Sequence, residues 1–387
     1  MADAAEDILS EPAVSAGGGP EPSGPLKPRE SLVRLVSLDA FRGLAVLGML
    51  LVNNKALGPW TPAHLTHAGW NAGIHLADLV YPWFVLIVGV AIPFSTRGRA
   101  GPRLARVRRA IKRAALLVLL GCLVNSSYAR HPLFDLGVLQ LIGVAYLGGA
   151  LLYWLPLAPR MTVAGLLLLG HWAALRFLPI PGVGAGVFTQ SQNVVSYLNH
   201  TYLGRWELEN LPVVLPTVAL VLIGTAIGDL LRQSEVTPTR KLRLVLVTGL
   251  VLMAAGWLWS LDLPFNKRVW TPPYVLFAAG WGLVALAAFH FVMDVRLRRA
   301  WAFPLVVMGR NPLTAFVLPI LVNIYVLSGW GRALPNGSFV SLQQSWVQFF
   351  TRHAGAGPGG LLYTLSYLLA WWLVLLYLDR KRIYLRV

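Results

Sequence analysis

The sequence predicts an all-α integral membrane protein, a polytopic bundle of about ten transmembrane helices. Three observations predict it. Of the 387 residues, 56% are hydrophobic and only 13% charged, about half the charged share of a soluble domain. The apolar residues gather into ten runs near the roughly 20 residues that cross a hydrocarbon core of about 30 Å. The loop Lys and Arg residues fall 23 on one side and 7 on the other, and the positive-inside rule places both termini in the cytoplasm. That sorting accounts for most of the net charge of +17 without a nucleic-acid partner. A conventional soluble enzyme is excluded.

The elements follow in order. Residues 1–30, rich in Ala, Gly, Pro and Glu, carry no apolar stretch and read as a disordered cytoplasmic tail. Residues 31–387 read as one transmembrane domain. Its runs lie at 38–54, 76–96, 110–127, 136–155, 161–178, 211–231, 242–262, 272–293, 302–328 and 361–379. The fifth is the weakest, because His171 and Arg176 lie within it. Long loops at 55–75, 179–210 and 329–360, rich in Trp, His, Asn and Gly, fall on the non-cytoplasmic side. The single cysteine, Cys122, permits no intrachain disulfide and no thiolate metal cluster, so no metal is expected.

Ionisable groups inside a span are costly and mark functional candidates. In the first span Asp39 and Arg42 stand three apart on one helix face, where they form a structural ion pair or leave a guanidinium available to a phosphate. Asp78 sits near the start of the second span, and Pro82 bends that helix. His67, with Trp70 and Asn71, lies just before it. A histidine next to a carboxylate has the ingredients of a general base. A loop histidine is also an ordinary surface residue, and His64, His75, His131, His200 and His353 share that side. Glu207 and Glu209 precede the sixth span, where a helix N-terminus favours acids. Asn266-Lys267-Arg268 and Gly309-Arg310-Asn311-Pro312 put polar groups at span ends.

At these residues a resemblance becomes visible. Ser37-Leu38-Asp39-Ala40-Phe41-Arg42-Gly43, followed by Leu51-Val52-Asn53, resembles the opening of several bacterial membrane acyltransferase families. His67-Ala68-Gly69-Trp70-Asn71 with Ala77-Asp78-Leu79-Val80-Tyr81-Pro82-Trp83-Phe84-Val85 is more discriminating, and is similar to the heparan-alpha-glucosaminide N-acetyltransferase family. Gly137-Val138-Leu139-Gln140, Leu215-Pro216, Asn266-Lys267, Trp270-Thr271-Pro272-Pro273-Tyr274 and Gly309-Arg310-Asn311-Pro312 continue the match in order, so that it spans 34–387.

The resemblance implies transfer of acetyl from cytoplasmic acetyl-CoA to the amine of a glucosamine-type sugar across the membrane. His67 would be general base or acetyl carrier, Asn53 would face the oxyanion and Asp78 would orient the ring. Asp39, Arg42, Lys267 and Asn311 fall to the CoA side, and Trp70, Asn71, Glu209 and His200 to the acceptor. The chain departs from the family where an Asp-Pro-Glu-Gly motif reads Glu207-Leu208-Glu209-Asn210, where Arg310 and Pro312 flank Asn311, and in the length of the loop between Asn53 and His67. The lumenal domain and extra N-terminal span of the animal enzymes have no counterpart here. That difference and the composition point to the cytoplasmic membrane of a bacterium. An O-acyltransferase of cell-envelope glycans and a small-molecule transporter are the alternatives, and the assembly is open between a monomer and a homodimer.

Overall fold

The structure, a computed structural model, describes residues 35–96 and 103–385; the tail expected over 1–30 lies outside the described residues. Each of the ten apolar runs falls on helix. They form α1 (Val36–Asn54), α2 (Leu76–Thr96), α3 (Arg103–Ala129), α4 (Val138–Leu152) and α5 (Leu157–Phe177). A short α6 (Val194–Leu198) lies in the long loop that follows. Then come α7 (Val214–Arg232), α8 (Pro238–Trp259), α9 (Pro272–His290), α10 (Phe303–Arg310), α11 (Pro312–Val322), α12 (Leu342–Ala354) and α13 (Ala356–Arg380). A two-stranded antiparallel hairpin, β1 (Gly331–Ala333) and β2 (Phe339–Ser341), precedes α12.

Several boundaries are written in the sequence. Proline opens α8, α9 and α11 and follows the first residue of α10, where its missing N–H costs nothing. Thr237 caps α8 by accepting the N–H of Arg240, and Ser341 with Gln344 forms a capping box on α12. Pro82 and Pro93 lie inside α2, and Arg232 donates to the Pro93 carbonyl. The ninth run does not stay straight. It breaks at Asn311, and the two helical stretches either side bend by 67°.

Six helices are long and apolar enough to cross a membrane, or seven if the bent pair counts as one span. The shortfall from ten has local causes. Six Lys and Arg crowd the first half of α3, and α4 has only 15 residues, which rise about 22 Å. α5 carries Arg160, His171 and Arg176, and each has a partner within the protein, Arg176 in Asp262 at 3.6 Å. Arg160 pairs with Asp229 at 2.5 Å and His171 Nε2 meets the Val269 carbonyl at 2.9 Å. Those groups serve the packing.

Small residues bring helices into backbone contact. A Cβ on Gly43 would strike the Leu305 carbonyl, and one on Gly309 the Asp39 carbonyl, so α1 and α10 meet without side chains between them. Gly89 and Gly224 do the same for α2 and α7. Phe41, Leu86, Leu220, Leu283 and Tyr274 fill the core between these helices. Outward-facing Val247, Leu250 and Val251 on α8 are exposed and suit lipid. The molecule is a predominantly helical integral membrane protein.

Candidate active site

α1 and α2 run antiparallel, and the loop between their ends (55–75) folds over the start of α2. Asp78, the third residue of α2, holds that loop. Its Oδ2 accepts the N–H groups of Ala68 and His75, each at 3.1 Å. The second of these bonds is the reach-back half of a capping box. Its Oδ1 meets His67 Nδ1 at 2.9 Å. The carboxylate is nearly fully buried, whereas the imidazole is about half exposed. Tyr274 on α9, itself buried, donates to the backbone carbonyl of Asp78 at 2.7 Å.

A third charged group arrives from far along the chain. Lys267, in the α8–α9 connection, puts its Nζ 3.5 Å from Asp78 Oδ1, 3.0 Å from His67 Nδ1 and 3.5 Å from Nε2. Neighbouring Asn266 is buried and fixes this connection. Its Oδ1 accepts from the N–H groups of Arg268 and Val269, and its Nδ2 reaches Asn71 Oδ1 at 3.4 Å. Burial and then the Lys267 ammonium lower the pKa of His67 against the upward pull of Asp78, so the ring is neutral at neutral pH. Burial lowers Lys267 as well, and Asp78 opposes it.

Two cavities meet at this cluster. The larger, about 870 Å3, runs between α1, α2, α3, α4 and α11. Arg42, Arg109, Lys112, Arg113 and Arg310 line one end, and Asn53, His67 and Lys267 the other. Apolar side chains such as Phe84, Ile87, Leu117 and Phe316 wall the stretch between. From Arg42 to Asn53 the path along α1 is about 16 Å, and from Ala77 to Ser95 along α2 about 27 Å. The second cavity, about 470 Å3, opens around Trp70, Gly137, Asn210, Asn266, Arg268 and Trp270. His67, Tyr81, Val138 and Lys267 line both.

The sequence-predicted residues divide into three groups. His67, Asp78 and Lys267 come together, with Asn53 on the larger cavity and Trp70 on the smaller one. Trp70 Nε1 donates to the Phe188 carbonyl at 3.3 Å, and Asn71, in left-handed backbone, serves Asn266. Lys267, expected on the CoA side, stands at the junction. Arg42 lines the large cavity, with Asp39 beside it at 2.8 Å. Asn311, expected to meet CoA, is buried and held by the chain's C-terminal stretch. Its Nδ2 donates to Ile383 O at 2.7 Å and its Oδ1 accepts from Leu385 N–H at 3.2 Å. Arg310, one residue earlier, faces the cavity instead. Glu209 and His200 line neither cavity, whereas Asn210 lines the smaller one. Among the described residues no cluster of His, Cys, Asp or Glu fits a metal ion.

His67 is thus held by a buried carboxylate between two cavities of a membrane bundle. The family of heparan-alpha-glucosaminide N-acetyltransferase catalytic domains matches residues 34–257. Heparan-alpha-glucosaminide N-acetyltransferase from Mus musculus is 26% identical over 373 residues, covering 79% of this chain and 56% of that protein. The protein of the same name from Homo sapiens is 26% identical over 331 residues, covering 68% and 49% respectively. The chain thus spans about half the length of the curated relatives it matches. The family match takes in Asn53, His67 and Asp78 and ends before Lys267. With more than half its length under that match, the chain belongs to the heparan-alpha-glucosaminide N-acetyltransferase catalytic family.

Proposed function

We propose that the protein is a transmembrane N-acetyltransferase that moves acetyl from cytoplasmic acetyl-CoA to the amine of a glucosamine-type sugar on the far side. One observation carries this reading: the cavity of about 870 Å3 has five bases at one end and His67 at the other. The bases suit the CoA phosphates, which guanidinium groups bind well, and the apolar walls suit a pantetheine arm. Both termini would then lie on the cytoplasmic side with the bases. The smaller cavity, opening on the other face of His67, takes the amino sugar.

The chemistry is a single displacement. With Nδ1–H donated to Asp78, the His67 Nε2 lone pair accepts a proton from the amine as its nitrogen attacks the thioester carbonyl. A C–N bond forms, and the carbonyl π pair moves onto oxygen. The Asn53 amide N–H faces that oxyanion, a contact worth on the order of 3 kcal/mol in such sites. Collapse re-forms the carbonyl, breaks the C–S bond and releases CoA thiolate, which takes the proton from imidazolium. The thioester is already activated, so no metal enters.

The test uses purified protein in liposomes with radiolabelled acetyl-CoA. Glucosamine should be labelled and N-acetylglucosamine, which has no free amine, should not. The His67→Ala variant should still bind CoA and transfer acetyl about 10³-fold more slowly. Labelling of N-acetylglucosamine would point to O-transfer, and sugar flux without CoA to transport. Either result overturns the reading.

A further inference from the structure

An orienting carboxylate carries a drawback for a general base. A buried anion at 2.9 Å from Nδ1 favours the imidazolium form, and an imidazolium cannot accept the proton of an attacking amine. The contacts around Asp78 show how this chain avoids that outcome. Nδ1 has one in-plane bonding position. A lone pair pointed at the carboxylate oxygen would be repelled, so Nδ1 carries the proton and donates it to Oδ1. Lys267 therefore cannot donate to Nδ1 at the same time, although its Nζ is 3.0 Å away, and its ammonium turns to Oδ1 at 3.5 Å.

We propose that Lys267 is a positioning residue for the base: its ammonium neutralises the charge of Asp78, so that the carboxylate fixes the tautomer of His67 without holding the ring protonated. The inference rests on the acetyltransferase reading for its kinetic consequence, and on the contact geometry alone for its proton chemistry. Three ionisable groups face His67 from the packed elements: Asp78 from α2, Lys267 from the α8–α9 connection and Lys55 from just beyond α1. Within its own loop, His75 turns its Nδ1 to the Thr66 carbonyl at 3.0 Å and packs edge-on against His64. Asp78 is the one anion among these neighbours, and Lys267 is the cation in contact with it. The downward push of Lys267 on the pKa of His67 follows the same geometry.

The experiment measures the protonation of His67 with and without the ammonium. Carbethoxylation by diethyl pyrocarbonate modifies neutral imidazole, and peptide-resolved mass spectrometry isolates the His67 signal in the purified full chain without substrates. In Lys267→Met and Lys267→Gln, modification of His67 should begin at higher pH than in the parent, while Lys267→Arg, which keeps the charge, should follow the parent. The acid limb of kcat at saturating glucosamine should move upward in the same two neutral variants, with the KM for acetyl-CoA unchanged. An unmoved His67 profile in the neutral variants, or an equal displacement in Lys267→Arg, overturns the proposal. So does a rise in acetyl-CoA KM with an unmoved limb, because that marks a donor-binding lysine. If the chemical profile moves as expected and wild-type protein labels no amino sugar, the triad stands and the acetyltransferase reading falls.

Discussion

The two ends of the large cavity both gather cations and use them differently. At the basic end Arg42, Arg109, Lys112, Arg113 and Arg310 come from α1, α3 and α10. Arg109 and Lys112 are exposed, and Arg310 and Arg42 each have an aspartate close by, Asp379 at 2.9 Å and Asp39 at 2.8 Å. At the histidine end Lys267, His67 and Asp78 are fastened to one another and to the loop backbone within 3.5 Å. Dispersed charge suits a flexible polyanion, in which each contact can be exchanged for another. Proton transfer needs one donor and one acceptor at fixed positions. Single substitutions should therefore be tolerated at the basic end and costly at the histidine end.

The largest effect tests that contrast directly. Removing the base in His67→Ala should lower kcat about 10³-fold, with retained CoA binding measured by thermal shift. A loss of tenfold or less would remove the distinction between the ends. In the wild-type protein the pH profile has a definite sign. Because burial and Lys267 hold the pKa of His67 below the ordinary imidazole value of about 6.5, carbethoxylation of His67 should stay on its plateau as pH falls through 6.5 and decline only below it. A midpoint above 6.5 would contradict the neutral ring. Asn53→Ala should come next, at about 10²-fold in kcat with little change in either KM, since its amide is proposed to meet charge that exists only in the transition state.

What the sequence disclosed follows the same division. Hydrophobic runs report burial in lipid, so the helices were legible, and Asp78 was paired with His67 because only a short loop separates them. Lys267 lies 200 residues from His67 and meets it only once α9 has packed on α2 through Tyr274. A motif places such a residue near a span end but not against a particular ring. Asn311 illustrates the converse case. A polar residue at a helix break reads as a ligand group, yet its amide is consumed by the backbone of Ile383 and Leu385. On the smaller cavity the lining residue is Asn210, next to Glu209. Glu207 and Asn210 both adopt left-handed backbone, and in a turn of that kind no periodicity says which side chain faces inward.

At the basic end the double variant Arg109→Gln/Lys112→Gln should raise the KM for acetyl-CoA about tenfold, as expected for losing about 1.4 kcal/mol of charge-assisted binding. The kcat and the KM for the amino sugar should stay as they are. Added salt should reduce the difference between variant and parent, because exposed charges are screened. A fall in kcat with an unchanged acetyl-CoA KM would mean that these cations act on the chemistry, and the two ends would no longer differ in kind.

The smallest effect is expected at the rim of the outer cavity. Asn210 holds a φ of 71°, donates its Nδ2 to the Leu136 carbonyl at 3.4 Å and is exposed. An alanine there would mix two causes, since left-handed backbone strains any residue with a Cβ. Asn210→Gly keeps the turn and removes only the amide, so it isolates recognition. Losing one solvent-exposed hydrogen bond to a sugar hydroxyl costs about 1 kcal/mol, and the KM for glucosamine should rise about fivefold. Neither kcat nor the KM for acetyl-CoA should move, because the amide lines the smaller cavity, which is proposed to take the sugar and not the donor. The same variant tested with an amine lacking the sugar hydroxyls, such as a simple aminocyclohexane, should be indistinguishable from the parent. If that amine loses as much as glucosamine, Asn210 shapes the cavity wall, and acceptor selectivity lies with Trp70 and the Asn71–Asn266 pair.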